Sequence, residues 1–132
     1  MKRYMLDTNT VSHLLREHPK VIKRLLAVPM TALCISAITE AELLFGLAKR
    51  PDAKRLHLAV RELLKRLDVV PWTSELAARY GVLRARMESE VRNLSALDML
   101  IAAHAMDMTT ILVSNDCAFA QVTGLQLEDW TV

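Results

Sequence analysis

The stretch YMLDTN, residues 4–9, decides the fold class of this chain. Three apolar residues in succession are typical of a short buried strand, and the run ends on the carboxylate of Asp7, followed by two small polar residues. In open α/β proteins, ligands bind in the crevice beyond the carboxyl ends of the strands. The stretch therefore predicts a buried strand that delivers an acid to a ligand-binding edge.

Short apolar runs alternate with stretches of helical spacing along the rest of the chain. Continuous apolar strands separated by helices are typical of a parallel sheet that is buried on both faces. We therefore predict an α/β fold in a single domain, residues 1–132, with a central, mostly parallel sheet of four to five strands and helices on both faces. The further strands are predicted at residues 32–36, 68–72, 110–114 and 125–130, the last at an edge, and the predicted helix caps are Thr8 or Asn9, Ser36, Thr73 or Ser74, and Ser95.

The composition restricts the class of protein. Hydrophobic residues make up 52% of the 132 residues and aromatic residues only 5%, which predicts an aliphatic core. The chain shows no apolar stretch of the length of a signal peptide or membrane span, so we predict a cytoplasmic protein without a membrane partner. Two cysteines are too few for a disulfide framework, and we predict that both are reduced.

Four acids stand in settings that differ from an ordinary solvated surface. Asp7 ends the first strand, Glu42 and Asp98 lie within apolar helical stretches, and Asp116 follows the apolar run ILV at residues 111–113. Carboxylates that converge in one pocket repel one another unless a cation neutralises them. Hard oxygen ligands of this kind suit Mg²⁺ or Mn²⁺. The acids therefore predict a divalent metal site, although their irregular spacing matches no short metal-binding motif.

Each acid also has a purely structural explanation. Asp7 is a favoured N-cap residue, and Asp116 beside Asn115 has the composition of a turn. Glu42 and Asp98 each follow a hydroxyl residue at the spacing of a capping box. For Glu42 and Asp98, the apolar surroundings favour a functional role, because an unpaired buried charge is costly. For Asp7 the two explanations are balanced, and for Asp116 taken alone the turn is favoured.

The polar neighbours of the strand-end acids have two explanations as well. They are typical of the groups that orient carboxylates and metal-bound water, and equally of caps and turns. The four histidines of the chain show no ligand spacing, so packing or surface roles are expected for them. The neighbours predicted to support the acids are Thr8, Asn9, Ser114 and Asn115.

Five segments in order carry a family resemblance: YMLDTNT (4–10), CISAITEAELLFGL (34–47), LSALDMLIAAHA (94–105), ILVSND (111–116) and LEDW (127–130). Together they resemble the PIN-domain ribonucleases of the VapC toxin type, nearly from end to end. The resemblance implies a three-layer PIN-like fold and a metal-dependent endoribonuclease toxin with RNA as substrate, tRNA among the candidates. It also implies a VapB antitoxin whose tail fills the acidic pocket, a homodimer, and a higher assembly with the antitoxin.

The resemblance assigns the acids to one catalytic and metal-binding set. One or two Mg²⁺ or Mn²⁺ ions are expected to be held chiefly by Asp7, Asp98 and Asp116, while Glu42 binds metal or orients the attacking water. Relatives usually carry glycines before the acid at position 98, whereas residues 90–95 contain none, which puts the shape of this loop in question. Basic residues expected at the rim are candidate RNA contacts, although solvated helix faces explain them as well: Lys49, Arg50, Arg84, Arg86 and Arg92.

Proteins of other classes also gather carboxylates beyond parallel strands. A receiver-like signalling module would require an aspartate at the end of the central strand and a lysine after a later strand, and residues 69–72 and 114–115 offer neither. A phosphatase with a strand-end nucleophile would require a second acid at position 9, where this chain has Asn9. A catalytically silent binding protein that keeps only the fold is the third alternative, and the four intact acids disfavour it.

Overall fold

A single parallel sheet organises the computed structural model, which describes residues 2–90 and 92–132. Within those residues the sheet has five strands in the order β3-β2-β1-β4-β5. The strands are β1 (Tyr4–Leu6), β2 (Leu33–Ser36), β3 (Asp68–Val70), β4 (Ile111–Val113) and β5 (Leu127–Glu128). Six helices connect them: α1 (Thr8–Leu15), α2 (Pro19–Leu26), α3 (Ala37–Ala48), α4 (Lys54–Arg66), α5 (Ser74–Ser89) and α6 (Ala96–Asp107).

The four strand pairings among these residues are all parallel. Met5 of β1 is level with Cys34 of β2 on one side and with Leu112 of β4 on the other. Parallel strands end at the same edge of a sheet, so the residues that follow β1, β2 and β4 emerge together. The predicted α/β fold and the edge position of the last strand are confirmed.

Helices cover both faces of the sheet because neighbouring residues of each strand point to opposite sides. Met5 and Leu112 belong to a core that includes residues of α5 and α6. Leu6 and Val113 belong to a second core that includes residues of α1, α2, α3 and α4. All four of these strand residues are fully buried. Burial on both faces explains why the strands are continuous apolar runs in the sequence.

The helix starts follow the sequence signals with one correction. Ser36, Thr73 and Ser95 cap α3, α5 and α6 through their hydroxyl oxygens, as predicted. The prediction that Thr8 or Asn9 caps α1 is wrong, because Asp7 has the extended backbone of a cap and its carboxylate accepts the Thr10 N–H. The acid at the end of β1 therefore begins the next helix as well.

Neither cysteine forms a disulfide: Cys34 is buried in the sheet and Cys117 is exposed. Burial raises the pKa of the Cys34 thiol to about 11, so this thiol stays protonated at neutral pH. Among the helices formed by residues 2–90 and 92–132, none combines the length and the apolar character needed to cross a bilayer.

Candidate active site at the carboxyl edge of the sheet

Asp7 lies where β1 leaves the sheet, with 3% of its surface exposed. Its backbone N–H donates to the Val113 carbonyl at 3.1 Å, and its Oδ1 accepts the Thr10 N–H at 2.8 Å. Burial raises the pKa of Asp7, hydrogen bonds from Ser114 and Thr10 oppose that rise, and the charge of Asp98 adds to it. Asp7 is thus a helix cap and a buried acid facing a second acid.

Asp98 lies half-buried in the first turn of α6. Burial raises the pKa of Asp98, its interaction with Ser95 opposes the rise, and the negative charge of Asp116 adds to it. Asp98 therefore interacts electrostatically with both strand-end acids, since its own charge raises the pKa of Asp7. The neighbouring negative charges therefore disfavour the ionised forms of Asp7 and Asp98.

Asp116 follows β4 and is half-buried. Its Oδ1 accepts the Ala118 N–H at 2.9 Å, at the start of the 3-10 turn Cys117–Gln121. Its own N–H donates to the Ser114 hydroxyl at 3.0 Å. The turn role expected for Asp116 is therefore present together with its proximity to Asp98.

Glu42 reaches the same edge from α3. The Thr8 hydroxyl donates to Glu42 Oε1 at 2.6 Å, which ties Glu42 to the residue directly after Asp7. Thr8 and Glu42 also line a groove of about 250 Å³ between α1, α3 and α4, together with Lys49 and Arg50. Glu42 thus stands between the other acids and a groove with basic residues.

The donor set fits a hard divalent cation that keeps part of its hydration shell. Within the described part of the chain, no three Asp, Glu, His or Cys side chains are grouped closely enough to hold a metal ion by themselves. Mg²⁺ usually keeps several waters and binds through one or two carboxylates, together with phosphate oxygens of the substrate. The negative charges of Asp98 and Asp116 raise the pKa of Asp7 and of Asp98 respectively, and a cation at this place would relieve that repulsion. That these acids bind metal stays a prediction.

Two of the four predicted supporting residues contact the acids. Thr8 donates to Glu42, and Ser114 hydrogen-bonds Asp7. Asn115 is exposed and lies 3.2 Å from the ring nitrogen Nε2 of His13. Asn9 is exposed on α1.

The candidate RNA contacts fall into two groups. Lys49 and Arg50 line the groove beside Glu42, and the Lys49 ammonium lies 4.6 Å from the centre of the Phe45 ring. The other three make contacts within the protein. Arg84 pairs with Glu88 at 3.2 Å, Arg92 pairs with Glu90 at 2.8 Å and contacts the Gln121 carbonyl, and Arg86 donates to the Thr123 carbonyl at 3.4 Å.

One buried polar pair near the site has no signature in the sequence. His104 of α6 is fully buried, and its Nδ1 lies 2.7 Å from the hydroxyl of Ser36, which is buried at the end of β2. Burial lowers the pKa of His104, and the nearby Asp107 opposes this. A packing role was one of the two roles expected for this histidine. Its partner is 68 residues away, so no local pattern reveals it.

Comparisons with known proteins agree with the resemblance seen in the sequence. Residues 4–125 match the PIN domain family. The chain is 33% identical over 131 residues to Ribonuclease VapC2 of Haemophilus influenzae strain Rd, covering 98% of this chain and 99% of the relative. It is 30% identical over 132 residues to the tRNA(fMet)-specific endonuclease VapC of Shigella flexneri, covering 99% of this chain and 100% of the relative.

Its fold is also similar to that of a solved protein–DNA complex. The crystal structure of DNA-bound VapBC from Salmonella typhimurium contains a chain that superposes with a TM-score of 0.90 at 30% identity, covering 98% of this chain and 99% of that chain.

Proposed function

The chain belongs to the PIN domain family, and on this basis we propose that it is a VapC-type endoribonuclease toxin that depends on a divalent metal, Mg²⁺ or Mn²⁺. The observation that carries the proposal is the family match over residues 4–125. The four acids follow β1, lie in α3, lie in α6 and follow β4. We further propose that residues 1–132 form one domain and act on RNA in the cytoplasm.

In the proposed mechanism, Asp7, Asp98 and Asp116 would hold the ion and Glu42 would hold either the ion or the attacking water. A bound divalent ion supplies Lewis acidity and lowers the pKa of a water molecule. Glu42 is oriented for this role because its Oε1 accepts the Thr8 hydroxyl. In-line attack on the RNA phosphodiester leaves a 5′-phosphate and a 3′-hydroxyl, with no nucleophilic side chain.

The substrate and partner are proposed from the names of the relatives. One relative is named a tRNA(fMet)-specific endonuclease, so tRNA is the first substrate to test. A VapB-type antitoxin is the proposed partner, in line with the VapBC complex to which the chain is similar. The acidic edge and its adjoining groove are the proposed site of inhibition. A homodimer, and a larger assembly with the antitoxin, are part of the same proposal.

The decisive test is cleavage of RNA by the purified protein. Total cellular RNA and purified tRNA are incubated with Mg²⁺, with Mn²⁺, and with a chelator, and the ends of the products are mapped. We expect cleavage only when metal is present, with 5′-phosphate ends. Addition of a VapB-type antitoxin is expected to suppress it.

The matched controls separate this nuclease from a contaminant and from a silent binding protein. Asp98→Asn should remove cleavage, while Glu62→Gln, which changes an exposed acid of α4 paired with Lys65, should leave it unchanged. Cleavage that persists in chelator or in Asp98→Asn contradicts the proposal. Tight RNA binding without any cleavage by the parent favours the silent binding protein.

The sheet order changes one argument against the receiver-like alternative. The central strand is β1 and not the strand at residues 68–70, and β1 does end on an aspartate, Asp7. The lysine expected after a later strand is still missing, because Ser114 and Asn115 follow β4. The family match also favours the nuclease over a phosphoryl-accepting module.

A further inference from the structure

The buried pair Ser36 and His104 connects two helices that carry site acids. Ser36 is the last residue of β2, level with Val70 of β3, and it also caps α3, which carries Glu42. His104 lies on α6, six residues beyond Asp98. Their hydrogen bond therefore ties the helix of Asp98 to the sheet and to the start of the Glu42 helix.

The Ser36 hydroxyl makes two hydrogen bonds. Ser36 Oγ accepts the Ile38 N–H at 3.0 Å, and its hydroxyl hydrogen is available to His104 Nδ1 at 2.7 Å. A serine hydroxyl has one hydrogen to donate and lone pairs to accept, so this arrangement uses both functions. Burial lowers the pKa of the imidazole and so favours its neutral form. On its other side, the ring packs edge-on against Trp72, with 5.6 Å between ring centres.

Hydrogen bonds matter for the position of α6 because the buried neighbours of His104 in this helix are small apolar side chains. The buried residues beside His104 include Ala102, Ala103 and Ala105, whose methyl side chains offer no polar contact. Apolar contact is non-directional, so it does not by itself fix one hydrogen-bonding arrangement between two elements. Among the hydrogen bonds of the described residues, the Ser36–His104 bond is the one that links α6 to the start of α3.

We propose that Ser36 and His104 are positioning residues, which set the distance of Asp98 from Asp7 and Glu42 and thereby the affinity of the site for its metal. The inference rests on the proposed metal-dependent function. Two hydrogen bonds then connect the acids in series: His104 to Ser36 at the start of α3, and Glu42 of that helix to Thr8 beside Asp7. Loss of the first bond lets Asp98 shift relative to the other two acids.

The test compares two substitutions of His104 that differ in hydrogen bonding. His104→Phe keeps a ring and loses the bond, whereas the amide oxygen of His104→Asn can still accept the Ser36 hydroxyl. Mn²⁺ affinity is measured by calorimetry without RNA. The rate of cleavage is measured as a function of metal concentration, at a temperature well below the melting temperature of each variant. We expect His104→Phe to weaken Mn²⁺ binding about tenfold and His104→Asn to stay within about threefold of the parent.

Thr73→Ala is the control for the loss of a helix cap. Thr73 caps α5, which carries no site acid, through the Leu76 N–H at 3.2 Å. This variant should lose stability and keep the Mn²⁺ affinity of the parent. Wild-type Mn²⁺ affinity in His104→Phe, or equal weakening in His104→Phe and His104→Asn, overturns the positioning role.

A double substitution keeps the proposal testable when His104→Phe does not fold. If the hydrogen bond is what matters, Ser36→Ala with His104→Asn should bind Mn²⁺ as weakly as Ser36→Ala alone, and a further independent loss contradicts this. A parent protein that neither binds Mn²⁺ nor cleaves RNA refutes the proposed function itself. A fully active parent with unchanged variants refutes only the positioning role.

Discussion

The strand-borne acids and the helix-borne acids of this site are held in different ways. Asp7 and Asp116 follow neighbouring strands, and each carboxylate accepts a backbone N–H at the start of the next element. Glu42 and Asp98 lie within helices, and their place at the site depends on how α3 and α6 pack. The first pair is positioned by local backbone geometry and the second pair by tertiary contacts.

For the strand-borne acids, capping is compatible with the proposed catalytic role. An ionised carboxylate has about four acceptor positions, and the hydrogen bonds from Thr10 and Ser114 to Asp7 leave part of them unoccupied. The cap fixes the orientation of the group, and the remaining positions stay available for a cation. Of the helix-borne acids, Asp98 interacts with Ser95 three residues earlier, whereas Glu42 is held by Thr8, a partner from elsewhere in the fold.

The largest expected effect is the loss of cleavage when one acid of each kind is neutralised. Asp7→Asn and Asp98→Asn should each reduce metal-dependent cleavage by at least about 100-fold, because each removes a proposed ligand. Neither should unfold the protein. Asn caps a helix as well as Asp does, and burial raises the pKa of Asp7, which means that its charge is disfavoured in the fold.

Cleavage assays and melting temperatures measured without metal check this pair of variants. Undiminished cleavage by both would refute the assignment. A clear drop in the melting temperature of Asp7→Asn would instead show that the carboxylate is needed for the fold.

A smaller effect on cleavage is expected when the hydrogen bond between Thr8, which follows Asp7, and the helix-borne Glu42 is removed. Thr8→Val removes the hydroxyl that donates to Glu42 and should slow cleavage about tenfold with little change in stability. Thr110→Val is the control, since it removes a buried hydroxyl that donates to the Ala105 carbonyl at 3.3 Å, away from the acids. It should cost about 1 kcal/mol of stability and leave cleavage unchanged. If Thr8→Val lowered the stability and left cleavage unchanged, Thr8 would support only the fold.

The contribution of each basic residue to RNA binding should depend on whether its charge is already paired with an acid within the protein. In an inactive Asp98→Asn background, Lys49→Ala should weaken RNA binding and lower the salt dependence by about 0.7 in the log–log slope, because one phosphate contact is lost. Arg84→Ala should have little effect, since Arg84 is already paired with Glu88 and Tyr80. RNA affinity measured at several salt concentrations distinguishes Lys49→Ala from Arg84→Ala. Equal slopes for Lys49→Ala and its parent would remove Lys49 from the RNA interface.

The smallest expected effect concerns pH. Burial lowers the pKa of His104 below its usual 6.5, so below that pH the unfolded chain binds a proton that the folded chain does not. Stability should therefore fall as the pH drops through 6.5, by at most about 1.4 kcal/mol per pH unit from this residue. The free energy of unfolding, measured with urea at pH 7.5 and 5.5, should depend less on pH in His104→Asn than in the parent protein. Identical pH dependence in the two proteins would count against a buried neutral imidazole.

Much of the architecture was predictable because the signals are local. Strands buried on both faces must be apolar throughout, and a hydroxyl residue at a helix start accepts a backbone N–H three residues or fewer away. The one wrong cap, at α1, arose because Asp7 fits two roles and a sequence offers no means to see that both are filled. The last strand is shorter than predicted, Leu127–Glu128 within residues 125–130, and only these two residues are paired with β4.

The sequence by itself determined the α/β class and the parallel sheet, since both depend on residue type and on spacing within single elements, and it named four acids whose joint role stays a prediction. Tertiary structure alone decided that β1 is the central strand, that Thr8 holds Glu42, and that Ser36 meets His104. These contacts join residues 34 and 68 positions apart. The physical reason is that strand order and helix packing minimise the free energy of the whole chain, and no short window of sequence contains both partners.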